Sequence, residues 1–134
     1  ATELGEFDLI LHSHVLAQAR CNPSFALARL ARALVPGGAM YFSVPVRRDT
    51  ATIQDQALSM SADERQKRFG SEQNWRMFGD KDVRTVLEEI LPGRLEIIDI
   101  SDYYGAQELS ISALQPSDRL VSSDTIFRFR RPRL

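Results

Sequence analysis

The sequence predicts an α/β fold built on a sheet of about four strands with flanking helices. Residues 7–13 form a continuous apolar run without clean alternation until its end, which is the pattern of a strand covered on both faces. A second apolar run spans residues 39–44, and a segment with helical spacing lies between the two runs. Strand, helix and strand in this order form one βαβ unit, which joins parallel neighbours in a sheet.

The connecting helix is predicted from its start and from its apolar stripe. Asn22 can cap the helix, and Pro23 suits the first helical position. Apolar side chains then recur at helical spacing, at Leu27, Leu30, Ala31 and Leu34. Residues 36–38, which read Pro-Gly-Gly, are expected to stop this helix and turn the chain into the second strand.

Residues 46–79 change character and are expected to form an insertion between the second strand and the next helix. Ser61 to Glu64 has the pattern of a capping box, which predicts a short polar helix that runs to Phe69 and stops at Gly70. The remainder of this segment is irregular, and we expect it to pack over the edge or the carboxyl-terminal rim of the sheet.

The most regular helical pattern follows Asp80, which can cap it. Its apolar positions are spaced by one, three and four residues, at Val83, Val86, Leu87, Ile90 and Leu91. Residues 95–100 predict another strand, and a long polar connection containing Tyr103 follows it. Residues 125–130 then alternate between apolar and basic side chains, which is typical of a half-exposed antiparallel strand.

The composition bounds the possible functions. A formal net charge of −1 gives no overall attraction to nucleic acid or to an anionic membrane. No apolar run approaches the ~20 residues that a membrane-spanning helix needs. The single Cys21 fits a reducing compartment and the first six residues lack a basic signal region, so we expect a cytoplasmic protein. One cysteine and scattered carboxylates lack the spacing of a metal site, and we expect no metal.

Three local signatures resemble the class I S-adenosylmethionine-dependent methyltransferase family. Residues 7–16, which read FDLILHSHVL, are similar to the fourth strand of that family and the loop after it. Residues 30–38, LARALVPGG, are similar to the helix and turn before the fifth strand. Residues 70–79, GSEQNWRMFG, resemble a segment of some members. These signatures are distributed over residues 7–79.

The resemblance implies the second half of a Rossmann-like methyltransferase sheet, with three parallel strands and a last, antiparallel strand inserted between its two predecessors. In spatial order, we expect the strands that begin near residues 7, 39, 125 and 95. Residues 1–134 would then be a single methyltransferase-like domain, the C-terminal half of the family fold, because the glycine-rich cofactor loop that opens such enzymes is not in this sequence. Gly37 and Gly38 cannot replace that loop, since they precede a strand and do not join a strand to a helix.

The resemblance also suggests site residues. It implies that Ser13, His14 and Val15, at the carboxyl end of the first strand, line the floor of the cofactor site. Trp75, Arg76 and Tyr103 are weaker candidates for contact with the methyl acceptor. No catalytic residue is predicted.

Ionisable residues of the family pattern are replaced by neutral ones in this sequence. Ala17 and Gln18 stand where the family has Glu and His, and Gln73 and Asn74 stand where the third signature has Asp and His. A reaction that requires a general base at these positions would lack it.

Two functions follow as hypotheses. The chain could be a fragment of an enzyme that methylates a small-molecule or sugar acceptor, with S-adenosylmethionine bound only in the full-length context and the fragment alone inactive. Alternatively, it could be a non-catalytic module that associates through residues 7–13. That strand would lie at a sheet edge with unpaired backbone groups, and a second copy or a missing N-terminal half could cover it. Neither hypothesis includes nucleic acid or a membrane.

Overall fold

The structure is a computed structural model that describes residues 6–53, 60–91, 94–98, 105, 107–108 and 121–133. In this part of the chain, a four-stranded sheet and a two-stranded sheet are accompanied by four α-helices. The strands are β1 (Phe7–Ser13), β2 (Leu34–Ser43), β3 (Val46–Arg47), β4 (Phe78–Gly79), β5 (Arg94–Ile98) and β6 (Ile126–Arg130). The helices are α1 (Val15–Gln18), α2 (Pro23–Ala33), α3 (Ala62–Phe69) and α4 (Val83–Ile90).

The main sheet has the strand order β1-β2-β6-β5, which is the predicted order. β1 pairs in parallel with β2, whereas β6 pairs antiparallel with both β2 and β5. β5 therefore runs in the same direction as β1 and β2. The sequence does not predict the second sheet, in which β3 and β4 pair in parallel.

One face of the main sheet carries the hydrophobic core. Phe42, Phe127 and Phe129 are buried there, and the rings of Phe42 and Phe127 stack with their centroids 5.5 Å apart. Leu27 of α2 and Leu87 of α4 are fully buried in the same cluster. Because side chains alternate between the two faces of a strand, every second residue of β1 and β2 points away from this core.

The prediction that β1 is covered on both faces is wrong. Phe7, Leu9 and Leu11 are 51%, 53% and 69% exposed, and they share the face that points away from the core. Ile10 lies on the opposite face of the strand from these three residues and packs against the core. The continuous apolar run therefore combines a core-facing set of side chains with a set that the described residues leave open to solvent.

The Pro-Gly-Gly turn lies inside β2 and not before it, which corrects the predicted start of this strand. The register of β1 against β2 shifts between Phe7 and Leu9, where the turn is accommodated. Gly37 has a φ of 83°, a backbone conformation that favours glycine. A Cβ atom on Gly38 would lie 3.1 Å from the carbonyl oxygen of Asp8, so a side chain there would crowd β1. The two glycines allow β2 to pair with β1 directly after α2 ends.

The predicted starts of α2 and α3 are confirmed. The side chain of Asn22 accepts a hydrogen bond of 2.8 Å from the backbone N–H of Ser24 at the start of α2. The Ser61 hydroxyl accepts one of 3.2 Å from the N–H of Glu64 at the start of α3. Gly70 ends α3 with a φ of 79°.

The predicted N-cap of α4 is wrong, because α4 begins after Asp82 and not after Asp80. Asp80 instead accepts a hydrogen bond of 2.9 Å from the backbone N–H of Asp49. Asp82 accepts bonds of 2.8 Å and 2.7 Å from the backbone N–H and the hydroxyl of Thr52. The two carboxylates thus bind the segment after β3 to the start of α4. The bonded residues are about thirty positions apart, so the local sequence pattern does not predict this contact.

We expect the substitution Gly79→Ala to destabilise the protein by roughly 2–4 kcal/mol. A Cβ atom at Gly79 would lie 2.1 Å from the carbonyl oxygen of Thr50 and 2.5 Å from the carbonyl carbon of Ala51, so the backbone around β4 must move. Urea unfolding followed by circular dichroism measures the change. Gly105→Ala is the control, because the nearest atom is a side-chain oxygen of Glu108 at 3.9 Å. Equal stability of the two variants would contradict this packing.

Candidate functional site

The carboxyl ends of β1 and β2 meet the first residue of β6 at one edge of the main sheet. A groove of about 430 Å³ opens there. Its lining residues are Leu11, His12, Ser13, Tyr41, Phe42, Ser43 and Ile126. Ligands of α/β sheets bind outside the carboxyl ends of the parallel strands, so this groove is the candidate site.

Two serine hydroxyls lie side by side at the end of the groove. Ser13 Oγ and Ser43 Oγ are 2.8 Å apart, and the two residues are partners in the β1–β2 register. The carbonyl oxygen of Ser43 also accepts a hydrogen bond of 2.9 Å from the backbone N–H of His14. These bonds fix the ends of the two strands against each other and leave the hydroxyl pair as a polar feature of a mainly apolar groove.

His14 follows β1 in the left-handed backbone conformation, with a φ of 58°. Few residues other than glycine adopt this conformation. Its ring Nε2 lies 3.3 Å from the carbonyl oxygen of Ser123, and the Ser123 hydroxyl accepts a hydrogen bond of 2.8 Å from the backbone N–H of Val46. His14 therefore links the end of β1 to the turn before β6. Strained residues held in this way are concentrated at functional sites.

Val15 is the first residue of α1, a four-residue helix that the sequence pattern does not predict. The Val15 side chain is 48% exposed, whereas Leu16 and Ala17 are fully buried. Of the three predicted cofactor residues, Ser13 lines the groove, and His14 and Val15 follow it in the chain. We refer to Ser13, His14 and Val15 together as the rim. Their contact with a cofactor stays a prediction.

Ala17 and Asn74, two of the four neutral residues that replace the ionisable positions of the family pattern, have structural roles. Ala17 is fully buried, and its carbonyl oxygen accepts a hydrogen bond of 2.7 Å from the N–H of Trp75. Asn74 is buried, and its side-chain amide donates a bond of 3.0 Å to the carbonyl oxygen of Phe69 at the end of α3. A charged group at either position would lose its hydration, and neither residue can act as a general base.

Arg76 is buried against α1 and the turn that follows it. Its guanidinium group donates to the carbonyl oxygens of Leu16, Ala19 and Cys21, the last two at 2.7 Å and 2.8 Å. Leu16 belongs to α1, and Ala19 and Cys21 follow it. Arg76 therefore satisfies carbonyl groups at the end of a helix that is too short to be stable alone. Acceptor binding by Arg76 stays a prediction beside this structural role.

The ring of Trp75 contacts two guanidinium groups. The central carbon of Arg20 is 4.8 Å from the ring centroid and that of Arg65 is 4.1 Å from it. The ring also packs with the small cluster around Phe69. Acceptor contact by Trp75 is likewise untested, and Tyr103 lies outside the described residues.

His12 lies on the core-facing side of β1. Its ring stacks on Phe42 with the centroids 4.9 Å apart. Both ring nitrogens are shielded from solvent and have no hydrogen-bond partner among the described residues. Burial lowers the pKa of His12 from 6.5 to about 4, so the ring is neutral at pH 7.

A polar chain crosses the open face of the sheet beside the groove. Arg128 of β6 is paired with Glu96 of β5, its partner in the strand register. The hydrogen bond from Arg128 lowers the pKa of Glu96, and Glu96 and Tyr41 together raise the pKa of Arg128. The charge of Arg128 is therefore neutralised within the sheet, and Tyr41 connects this pair to the groove.

The described residues show neither a metal centre nor a membrane helix. They contain no group of three or more histidine, cysteine, aspartate and glutamate residues that could hold a metal ion. None of their helices has the length and apolar character needed to cross a bilayer.

Comparison with solved structures identifies the architecture. A chain of the Haloferax volcanii complex between the Trm112 methyltransferase activator and a candidate methyltransferase matches with a TM-score of 0.54 and 16% identity, over 98% of this chain and 57% of that one. A candidate methyltransferase of Bacillus halodurans C-125 matches with a TM-score of 0.53 and 12% identity, over 98% of this chain and 67% of the other. This chain has a class I methyltransferase-like fold. At these identities the likeness concerns the fold alone, and no family model or curated protein matches the sequence.

A methyltransferase-like fold implies S-adenosylmethionine, and the rim fits only part of that cofactor. Ser13 supplies a hydroxyl, His14 a ring and Val15 an exposed apolar side chain, which together can form one wall. None of these three residues supplies a carboxylate for the ribose hydroxyls, and the sequence has no glycine-rich strand-to-helix loop. The described residues thus do not form a complete cofactor site.

We expect Arg76→Met to destabilise the chain by roughly 2–4 kcal/mol, because it leaves three carbonyl oxygens at the end of α1 without their charged donor. Urea unfolding measures the loss. Arg84→Met is the matched control: Arg84 is exposed and, among the described residues, forms an ion pair only with Glu88 on α4, so a change below about 0.5 kcal/mol is expected there. A similar small change in Arg76→Met would refute the structural role of its guanidinium.

His12 is expected to make the fold sensitive to acid. Its pKa is about 4 in the folded chain, against 6.5 for an unperturbed histidine, so the unfolded chain binds the proton first as the pH falls below 6.5. Between pH 7 and pH 5 we expect its contribution to cost about 1 kcal/mol, after allowance for partial solvent exposure. His12→Phe keeps an aromatic ring against Phe42 and removes this loss. Identical pH dependence of the two proteins in urea unfolding would show that His12 is not responsible.

Proposed function

We propose that this chain provides the acceptor-side half of an S-adenosylmethionine-dependent methyltransferase. The observation that carries the proposal is the position of the groove. It lies at the carboxyl ends of β1 and β2 in a methyltransferase-like fold, where the hydroxyls of Ser13 and Ser43 form a pair. The exposed Val15 follows two residues after Ser13 in the chain. The contribution of such residues to methyl transfer is to bind and orient the two reactants.

The groove favours an uncharged small molecule as acceptor. Its lining is mainly aromatic and aliphatic. Arg128, which interacts with the lining residue Tyr41, has its charge paired with Glu96. Serine hydroxyls can position a hydroxyl-bearing acceptor, including a sugar. The side chains of Ala17 and Asn74 cannot remove a proton, so we assign no general base to this half. The single Cys21 fits a reducing compartment, so the proposed location is the cytoplasm.

The proposal requires the other cofactor wall to come from residues outside this sequence. The chain spans 57% and 67% of the two solved chains that it resembles, which leaves room in those proteins for such a half. We therefore expect the 134 residues alone to bind S-adenosylhomocysteine weakly or not at all, and a longer natural chain that contains them to bind it in the micromolar range (about −8 kcal/mol).

Calorimetric titration with S-adenosylhomocysteine tests this function. In the longer chain we expect Val15→Asp to weaken binding at least about tenfold, because it places a charge of the same sign as the cofactor carboxylate on an exposed rim position. Gln18→Asp is the matched control, since Gln18 is exposed on the same helix and has no assigned contact. A folded longer chain that binds no S-adenosylhomocysteine would exclude the methyltransferase proposal.

A second function, association without catalysis, is favoured by a different observation. Among the strands that the structure describes, β1 is at the end of the sheet, and its Leu9 and Leu11 are more than half exposed. An edge strand with this composition is a ready site for pairing with another chain. One of the similar structures is a complex with the Trm112 activator, so protein association occurs within this architecture. Here the partner would be a second copy or the missing half of the fold.

A further inference from the structure

Arginine residues of several elements lie at the end of the main sheet opposite the groove. Arg94 is the first residue of β5 and Arg130 is the last residue of β6, and the two are partners in the antiparallel register. Arg32 is exposed near the end of α2, and Arg131 and Arg133 follow β6. We call these five residues, which come from a helix, two strands and the segment after β6, the arginine cluster.

Hydrogen bonds hold the segment after β6 against the Pro-Gly-Gly turn. The backbone N–H of Arg131 donates to the carbonyl oxygen of Gly38 at 2.9 Å, and its carbonyl oxygen accepts a bond of 2.9 Å from the N–H of Gly37. The Arg131 guanidinium donates at 3.0 Å to the carbonyl oxygen of Arg32. The side chain of Arg133 lies over Gly37, where a Cβ atom would be 2.7 Å from its Nε. Arg131 and Arg133 therefore have defined positions beside the strands.

The positive charge of this region exceeds the negative charge that faces it. Arg94 and Arg128 are both paired with one carboxylate, that of Glu96. The hydrogen bond from Arg128 and the charges of Arg128, Arg94 and Arg130 all lower the pKa of Glu96, so three cations act on one anion. Within the part of the chain that the structure describes, the exposed Arg130 and Arg133 form no ion pair.

The strand register places like charges opposite each other. Arg94 and Arg130 are directly opposed on the face of the sheet that points away from the core, and opposed like charges destabilise a sheet. The Nε atom of Arg94 is 3.4 Å from the Glu96 carboxylate, but its side chain is 83% exposed, so solvent weakens this ion pair. Two further carboxylates, Glu6 and Asp8, are separated from β6 by β2. An anion bound between Arg94 and Arg130 would remove their repulsion.

The chemistry of the arginine cluster favours the carboxylates of a protein segment. A guanidinium group can bind a carboxylate through two parallel hydrogen bonds, and neighbouring strands present such groups about 4.8 Å apart. The cluster contains no aromatic side chain on which nucleic acid bases could stack. A long phosphate backbone would also extend past this local cluster over a chain whose net charge is −1, whereas a short acidic segment contacts the arginines alone.

We propose that the arginine cluster binds an acidic segment of a partner protein, with one carboxylate between Arg94 and Arg130. A partner at this end of the sheet leaves the groove open. Among the described strands, β5 and β6 are the farthest from β1. The inference therefore goes beyond both functions proposed above and requires neither of them.

Fluorescence anisotropy with labelled hexaglutamate at low ionic strength tests the site in the longer natural chain that contains these residues. We expect Arg130→Glu to raise the dissociation constant at least about tenfold. Arg48→Glu is the matched control, because it makes the same change of charge at an exposed position after β3, at the other end of the sheet. Binding should also weaken as salt is added. Equal dissociation constants for the two variants, or no binding by the unaltered chain, would overturn the proposal.

A second variant separates binding from a structural role. Arg130→Gln removes one of the two opposed charges, so we expect it to weaken hexaglutamate binding and to raise the midpoint of urea unfolding without the peptide. A lower midpoint with unchanged binding would assign Arg130 to the fold and overturn its role in the site.

A third measurement decides the class of partner. We expect labelled hexauridylate to bind the unaltered longer chain more weakly than hexaglutamate does. Tighter binding of hexauridylate would overturn the assignment to an acidic protein segment. Circular dichroism of each variant confirms that the fold is retained before dissociation constants are compared.

Discussion

Burial of the main sheet on one face is the constraint on which the other features depend. Phe42, Phe127 and Phe129 pack beneath α2 and α4, and two of these residues come from β6. The reversed strand therefore joins β2 to β5 through the core as well as through its ladders. The opposite face of the sheet retains exposed leucines on β1 and the Arg128–Glu96 pair. The groove lies on the part of the sheet that does not contact the core, and so does the outer side of β1, which no other described strand covers.

The rim of the groove is held by polar contacts from distant parts of the sequence. His14 is kept in an uncommon backbone conformation by Ser43 and Ser123, and Arg76 supports the end of α1 from behind. A rim assembled in this way has little freedom to adapt, because each group that could move already satisfies a backbone donor or acceptor. In the function that we propose, such preorganisation would present Val15 and the serine hydroxyls in a fixed arrangement.

The sequence predicts the parts of the fold that depend on local patterns. Periodicity and capping residues place the helices after Asn22 and Ser61, and the resemblance supplies the order of the four strands. The buried role of Arg76 could not be predicted, because its three acceptors lie 55 to 60 residues earlier in the chain. The exposure of one face of β1 could not be predicted for a similar reason. An apolar run shows that its residues are hydrophobic, but it does not show which neighbours cover each face of the strand.

The two proposed functions require the same edge of the sheet and therefore compete. A cofactor wall completed from outside this chain must lie beside Ser13 and Val15, next to the free side of β1. Pairing of two copies thus closes the edge to the half that would bind the cofactor. Association through β1 and methyl transfer would accordingly belong to two alternative states of the protein, and cofactor binding in the complete fold would disfavour the dimer by mass action.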